Sequence, residues 1–265
     1  MKNIDLDECH RLLLQIATTF ADICERHHIP YYMLGGTMMG AIRHQGFIPW
    51  DDDMDFGVER PYFDQLIQAL TDELPEHLKI RTIDNSAYVF SNYFKIEDIR
   101  TEVVDYWHDN VTEMGICIDV FPIDKGMKNR FSTKALASFV FFFLQINVFL
   151  LIDPKYRKGY KRYVAMLLRK VNSSSLQKRI HYIDRIIKKY SADTSKFMVN
   201  FYGRYKLKEI IPASFFGKPQ PYPFENTTLT GVEKVDDYLS LLYGNYRQLP
   251  PEDKRTNHTI RRSYK

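Results

Sequence analysis

Apolar residues at Leu6, Cys9, Leu13, Ile16, Ala17, Phe20 and Cys24 recur mostly three or four positions apart. That spacing predicts an opening amphipathic helix, with Asp5 and Glu8 as a capping pair at its head. His28 and Pro30 end the pattern. The aromatic-rich run Tyr31 to Leu34, closed by Gly35-Gly36, predicts a buried strand running into a tight turn, with a short helix from Thr37 to about His44 after it. Asp53 to Val58 is the next strand candidate, and Pro61 starts a helix through Leu70 as a favourable first-turn residue. Further strands are expected at Val89 to Ile96, Thr101 to Asp105 and Gly115 to Phe121. Alternating strands and helices predict an α/β (α+β) layered core over residues 1–130.

The character changes after Phe131. Ala135 to Ile152 is almost all apolar, broken only by Ser138, Gln145 and Asn147, and Lys155, Arg157, Lys158, Lys161, Arg162, Arg169 and Lys170 follow it. The region 131–265 is expected to be mainly helical. The apolar run is short for a membrane span and has polar breaks, so two readings stay open, a buried core helix and an anchor lying on a membrane surface. Pro212 to Pro223 is expected to be an ordered surface loop, with Tyr222 and Phe224 docking on the body.

Composition narrows the class without naming a partner. The 265 residues are 45% hydrophobic and 14% aromatic, enough for one substantial core or two lobes around a cleft. Lys+Arg 37 against Asp+Glu 33 is nearly balanced, so the placement of charge matters more than its sum. Cys9, Cys24 and Cys117 are odd in number and far apart, which excludes a disulfide framework or a cysteine zinc site and fits a reducing compartment. The acidic opening MKNIDLDECH lacks the apolar core of a secretory signal, so a cytoplasmic location is expected. Basic residues are not interleaved with aromatics along one strand, so no nucleic-acid platform is expected.

The sharpest chemical feature is Trp50-Asp51-Asp52-Asp53-Met54-Asp55-Phe56-Gly57. Side chains alternate along a strand, so Asp53 and Asp55 project from one face and Met54 and Phe56 from the other. Two adjacent carboxylates repel unless a cation sits between them, and hard oxygen donors suit Mg²⁺ or Mn²⁺. A calcium loop fails, because counting from Asp51 puts Phe56 where an EF-hand needs glycine and Tyr62 where it needs glutamate. In Gly115-Ile-Cys-Ile-Asp-Val-Phe-Pro-Ile-Asp124, Cys117, Asp119 and Phe121 share a face. A charge in such an apolar strand is costly unless paired, which makes Asp119 the candidate third metal ligand or general base. The Gly35-Gly36-Thr37 turn offers backbone N–H groups and a helix N-terminus to a phosphate, and Arg43 with His44 lies a turn later. Its spacing matches neither a P-loop nor a dinucleotide loop. No GxSxG elbow or HExxH helix is present, and the eight histidines do not cluster at ligand spacing. Leu249 to His258 brings Lys254, Arg255 and His258 behind rigid prolines, either as a basic tail or as a segment that folds back onto donor phosphates.

The string Leu34-Gly-Gly-Thr-Met-Met-Gly-Ala-Ile-Arg-His-Gln-Gly-Phe-Ile-Pro-Trp-Asp-Asp-Asp-Met-Asp-Phe-Gly-Val58 resembles the signature of the LicD family, which includes bacterial phosphorylcholine transferases and is related to the fukutin group. The resemblance continues through Ile118 to Pro122, Pro223 to Glu225, Tyr238 to Tyr246 and Leu249 to Arg255. It implies a nucleotidyltransferase-like mixed sheet with flanking helices, with Asp53 and Asp55 as the metal pair and Asp119 as the third carboxylate. It also implies Mg²⁺ or Mn²⁺, a CDP-choline donor and a lipid-linked or glycan acceptor such as lipopolysaccharide or teichoic acid, reached by an enzyme at the cytoplasmic face of the membrane. A related transferase using CDP-ribitol or CDP-glycerol, one transferring a nucleotidyl group, a metal-dependent glycosyltransferase and a non-catalytic choline or nucleotide binder are the alternatives. A trimethylammonium head calls for an aromatic cage, for which Tyr93, Tyr106 and Trp107 are candidates.

Overall fold

The computed structural model describes residues 2–86, 91–105, 114–151, 159–171, 176–255 and 259–265. Helix α1 (Leu6–Arg26) starts where Asp5 Oδ1 accepts the Glu8 N–H at 2.9 Å, and it buries a stripe from Cys9 to Cys24. Each Leu, Ile or Phe so buried contributes about 1.5–3 kcal/mol. Strand β1 (Tyr31–Met33), helix α2 (Gly35–His44), strand β2 (Asp55–Glu59) and helix α3 (Arg60–Glu73) follow. Gly35 and Gly36 form the first turn of α2 itself, where a turn ahead of the helix was expected; Gly35 takes φ +49 there, a conformation open to glycine.

Strands β3 (Leu78–Arg81), β4 (Phe94–Asp98), β5 (Thr101–Asp105) and β6 (Cys117–Lys125) complete the first half. β3 was not anticipated: it is four residues long, and only its pairing with β4 makes it a strand. Helices α4 (Arg130–Leu151), α5 (Tyr160–Val171) and α6 (Leu176–Tyr190) then form a helical stretch. Beyond it the chain returns to the sheet through β7 (Phe197–Val199), β8 (Ile210–Pro212), α7 (Ala213–Phe216), β9 (Gln220–Phe224), β10 (Thr227–Gly231), α8 (Val235–Tyr243) and β11 (Thr259–Tyr264). Helix therefore dominates the second half only as far as α6.

Among the described residues nine strands form one mixed sheet, in the order β3-β4-β6-β2-β1-β10-β9, with β7 joining β6 to β8. The pairs β2/β6 and β1/β10 are parallel. The sheet thus draws strands from both sides of residue 131. The Pro-rich stretch expected to be a loop supplies edge strand β9, where Pro221 and Pro223 stand opposite Thr230 and Thr228. An edge strand tolerates proline because one side of its backbone has no ladder partner. Phe224 is buried there, in an edge contact with Phe47. The C-terminal segment is not a loose tail: β11 pairs antiparallel with β5.

A second core joins α4 to α6 through Leu136, Ala137, Val140, Ile180, Ile183 and Ile187. The buried Arg60–Asp124 pair, with N–H···O distances of 2.8 and 2.7 Å, ties α3 to β6, and Asp184 of α6 completes the network. The apolar helix α4 is only half core, since Phe131 is 83% and Phe142 63% exposed. Among the described residues no helix is long and apolar enough to cross a membrane. Cys9 and Cys24 are buried and Cys117 half-buried, all as free thiols.

Candidate active site

The register of three neighbouring strands builds the charged wall of a cleft of about 550 Å³. Asp55 of β2 stands opposite Asp119 of β6, and Asp119 stands opposite Lys95 of β4. Residues directly opposite in a sheet share a face, so the three charges form one row. Lys95 Nζ donates to Asp119 Oδ1 at 2.5 Å. Asp119's N–H donates to the Met54 carbonyl at 2.9 Å, locking the strand ends together just where Asp53 and Asp55 emerge. Asp53, Asp55 and Asp119 all line the cleft, although the strand expected from Asp53 begins only at Asp55 and Asp53 lies on the segment leading into it.

Electrostatics mark this row as a place for a cation. Burial first, then the charges of Asp53, Asp119 and Asp51, push the Asp55 carboxyl well above the usual carboxylate range; Lys95 opposes the shift. Lys95 itself loses hydration on burial, which disfavours its charge, but Asp119 more than offsets this and holds the ammonium protonated. Carboxylates crowded together in this way fit a hard divalent ion. Among the described residues, however, no three His, Cys, Asp or Glu side chains form a ready-made metal cage. The arrangement fits an ion held by Asp53 and Asp55 with its remaining positions filled by substrate oxygens and water, as Mg²⁺ commonly is. Asp119, expected as a third ligand, already holds an ammonium.

Gly35, Gly36 and Arg43 reach the same cleft. The Gly35 N–H is already used, donating to Tyr238 Oη at 3.0 Å, so it is not available to a phosphate in this arrangement. Thr37 does not line the cleft. Its Oγ1 accepts the Asp55 N–H at 2.8 Å, which makes it a residue that positions Asp55. Arg43 donates to the Tyr246 carbonyl at 3.0 Å, and its pKa is lowered by burial and then by the charge of Arg255. Arg255 lies over the Trp50 ring, 5.0 Å from its centroid. Arg43 in the cleft and Arg255 over cleft-lining Trp50 bring two guanidinium groups to the neighbourhood of the carboxylate row, the kind of group that suits phosphate oxygens. Lys254's side chain, His258, Tyr106 and Trp107 lie outside the described residues.

Sequence reasoning missed Glu209. It lines the cleft, is 6% exposed, and burial pushes its carboxyl up to about 7. It also missed Asp52, whose carboxylate is buried and paired with Arg262 at 2.5 Å. Nothing local signals either one, because in both cases burial is created by chain far away in sequence.

Residues 28–141 match the family model described as LicD/FKTN/FKRP, nucleotidyltransferase domain. The chain is 26% identical along its whole length to Lipopolysaccharide cholinephosphotransferase LicD of Haemophilus influenzae, covering 99% of that protein. An uncharacterized protein of Rickettsia typhi is 36% identical over 80 residues, 29% of this chain and 24% of its own. Ribitol 5-phosphate transferase FKRP of Homo sapiens is 38% identical over 50 residues, 19% of this chain and 10% of its own. The matched segment contains the Gly35-Gly36 turn, Arg43, Asp53, Asp55 and Asp119, so the residues that meet in the cleft are the ones over which this chain is similar to the LicD/FKTN/FKRP nucleotidyltransferase domain.

Proposed function

We propose that this protein is a metal-assisted transferase that moves phosphorylcholine from CDP-choline to a hydroxyl of a cell-surface glycan. The observation that carries this reading is the carboxylate row of Asp53, Asp55 and Asp119 in one cleft with Arg43, whose neighbour Arg255 lies over the cleft-lining Trp50. The full-length likeness to a cholinephosphotransferase supports the choice of cargo. In the reaction the acceptor oxygen forms a bond to the phosphorus that bears choline, and the bond from that phosphorus to the bridging oxygen breaks, releasing CMP. A divalent ion, when bound by Asp53 and Asp55, would neutralise charge on the donor phosphates. Arg43 and Arg255 grip the nucleotide phosphates. Asp119 Oδ2 takes the proton of the acceptor hydroxyl while Oδ1 stays anchored on Lys95. A loose phosphoryl-transfer transition state asks little of such a base.

The same reading places the enzyme at the cytoplasmic face of a membrane, where a lipid-linked acceptor would be presented. Phe131 and Phe142 of α4, with Tyr163, Met166 and Leu167 of α5, are exposed. Arg185 and Lys189 of α6 lie over the rings of Tyr182 and Tyr190 on the same helix, and an apolar groove runs between α4 and α6. Exposed aromatics flanked by basic side chains suit an anionic lipid surface.

Incubation of the protein and a glycan acceptor with CDP-choline, CDP-ribitol or CDP-glycerol tests the reaction. CMP release from CDP-choline, dependent on Mg²⁺ or Mn²⁺, is the expected result. Faster release from CDP-ribitol would move the assignment to the chemistry named for FKRP, and no release from any donor would refute a transferase.

A further inference from the structure

The aromatic side chains of the cleft divide into those that already face a cation and those that do not. Trp50 carries Arg255 at 5.0 Å, Tyr246 carries Arg247 at 5.2 Å, and Tyr93 carries Lys95 at 5.4 Å. Tyr93 is also stacked on Phe121, with centroids 4.9 Å apart. A second positive group at any of these rings would meet like charge. Tyr93, the one described member of the cage expected from sequence, is therefore a poor seat for an ammonium. Tyr202 faces elsewhere, donating from its hydroxyl to Asp184 at 3.4 Å.

Tyr205, Tyr238 and Tyr243 remain, and among the described residues none has a cation over its ring. Tyr205 and Tyr243 meet edge to face, with centroids 5.0 Å apart and planes at 73°. Beside them is Glu209, more than nine-tenths buried yet lining the cleft. Its Oε1 accepts the Tyr205 N–H at 3.3 Å, and among the described residues no Lys, Arg or His forms an ion pair with it. Gly203 permits this placement: a Cβ there would come within 2.4 Å of Glu209 Oε1. A buried carboxylate without a counter-ion is costly, and a cationic ligand is what relieves that cost. The position also suits a donor whose phosphates lie at the carboxylate row. A Cβ on Gly35 would sit 3.4 Å from Tyr243 Oη and 3.7 Å from Asp55 Oδ2, so Tyr243 and Asp55 flank the same glycine.

We propose that Glu209 and the rings of Tyr205, Tyr238 and Tyr243 form the subsite for the quaternary ammonium head of the donor, an inference that rests on the phosphorylcholine reading above. The rings supply cation–π attraction and the carboxylate supplies a full opposite charge, which a methylated ammonium needs because it has no N–H to donate. A ribitol or glycerol head would leave that charge unpaired, so the subsite selects among CDP-alcohols by charge.

Calorimetric titration of the full chain in Mg²⁺ with CDP-choline, CDP-glycerol and CMP tests it. The wild type is expected to bind CDP-choline more tightly than CDP-glycerol, and Glu209→Gln to shrink that preference about tenfold while leaving CMP affinity unchanged. Tyr205→Leu should act in the same way and Tyr205→Phe, which keeps the ring, should not. An undiminished preference in both Glu209→Gln and Tyr205→Leu overturns the subsite and leaves the transferase standing. An equal loss for all three ligands also overturns it, by assigning Glu209 a purely structural role. A wild type that does not prefer CDP-choline removes the phosphorylcholine reading and the subsite with it.

Discussion

Arg262 and Asp52 are 210 positions apart in sequence, and a guanidinium N–H of one donates to the carboxylate of the other at 2.5 Å in the interior. Asp52 immediately precedes Asp53, proposed above as a metal ligand, so the last strand is tied to the segment that carries the proposed metal pair. Removing Arg262 takes the guanidinium partner from a buried carboxylate, a change of up to about 3–5 kcal/mol. Arg262→Met is expected to lower unfolding stability by that order in urea melts, with Arg262→Met/Asp52→Asn recovering most of it. A single variant as stable as the wild type would show that the pair contributes nothing.

Asp55→Asn should separate stability from function. The Asp55 carboxyl is held up by burial and then by Asp53, Asp119 and Asp51, so neutralising it relieves strain in the metal-free protein. The variant is expected to melt above the wild type without added metal and below it in millimolar Mg²⁺, because only the wild type gains from binding. Turnover should fall by orders of magnitude. An equal response of both proteins to Mg²⁺ would remove Asp55 as a ligand.

How much of this was legible differs residue by residue. Asp53 and Asp55 were readable because strand alternation is a local rule, two positions apart meaning one face, although the strand itself begins only at Asp55. The Asp119 face was readable for the same reason. Its partner Lys95 was not, because which residue stands opposite is fixed by strand pairing, which no local pattern records. Thr37 looked like a phosphate contact through its place after Gly-Gly, whereas its hydroxyl serves the backbone of Asp55, 18 positions on. Edge strand β9 was hidden by its own prolines, and Glu209 by a burial that arises only when α8 and the 200–205 loop close over it.

Asp119→Asn distinguishes proton acceptor from ligand. As acceptor, its loss should depress kcat more than KM for the donor and erase the acidic limb of the pH–rate profile. Full recovery of turnover in excess Mg²⁺ would make it a ligand and place the base elsewhere.

Glu209 gives a pH signature independent of any substrate. Its carboxyl titrates near 7 in the folded protein against an ordinary value of 4.5, so the folded state keeps a proton that the unfolded chain has already released between those values. Stability associated with this group is complete below about 4.5 and is lost as pH rises through about 7. Glu209→Gln keeps the volume and the acceptor for the Tyr205 N–H without this dependence. It should match the wild type at pH 5 and exceed it at pH 8 in denaturant midpoints. Parallel curves at the two pH values would contradict the shift.

Membrane attachment should be peripheral. Vesicles rich in phosphatidylglycerol are expected to retain the protein, phosphatidylcholine vesicles to retain little, and high salt to release part of the bound fraction. Phe131→Ser/Phe142→Ser should weaken retention at least about tenfold, since each ring buried in lipid contributes about 1.5–3 kcal/mol. Binding that ignores both lipid charge and these rings would assign the exposed face to another purpose.

The two walls of the cleft come from different stretches of the chain. Asp53, Asp55, Asp119 and Arg43 belong to the segment shared with the family domain, whereas Tyr205, Glu209, Tyr238 and Tyr243 lie beyond its end at residue 141. A seam therefore runs down the middle of the groove, with the carboxylate row on one bank and the proposed cargo subsite on the other, and Arg255 reaching the rim from the later part of the chain. A substitution on the far bank can therefore change which alcohol is admitted while Asp53, Asp55 and Asp119 keep their places.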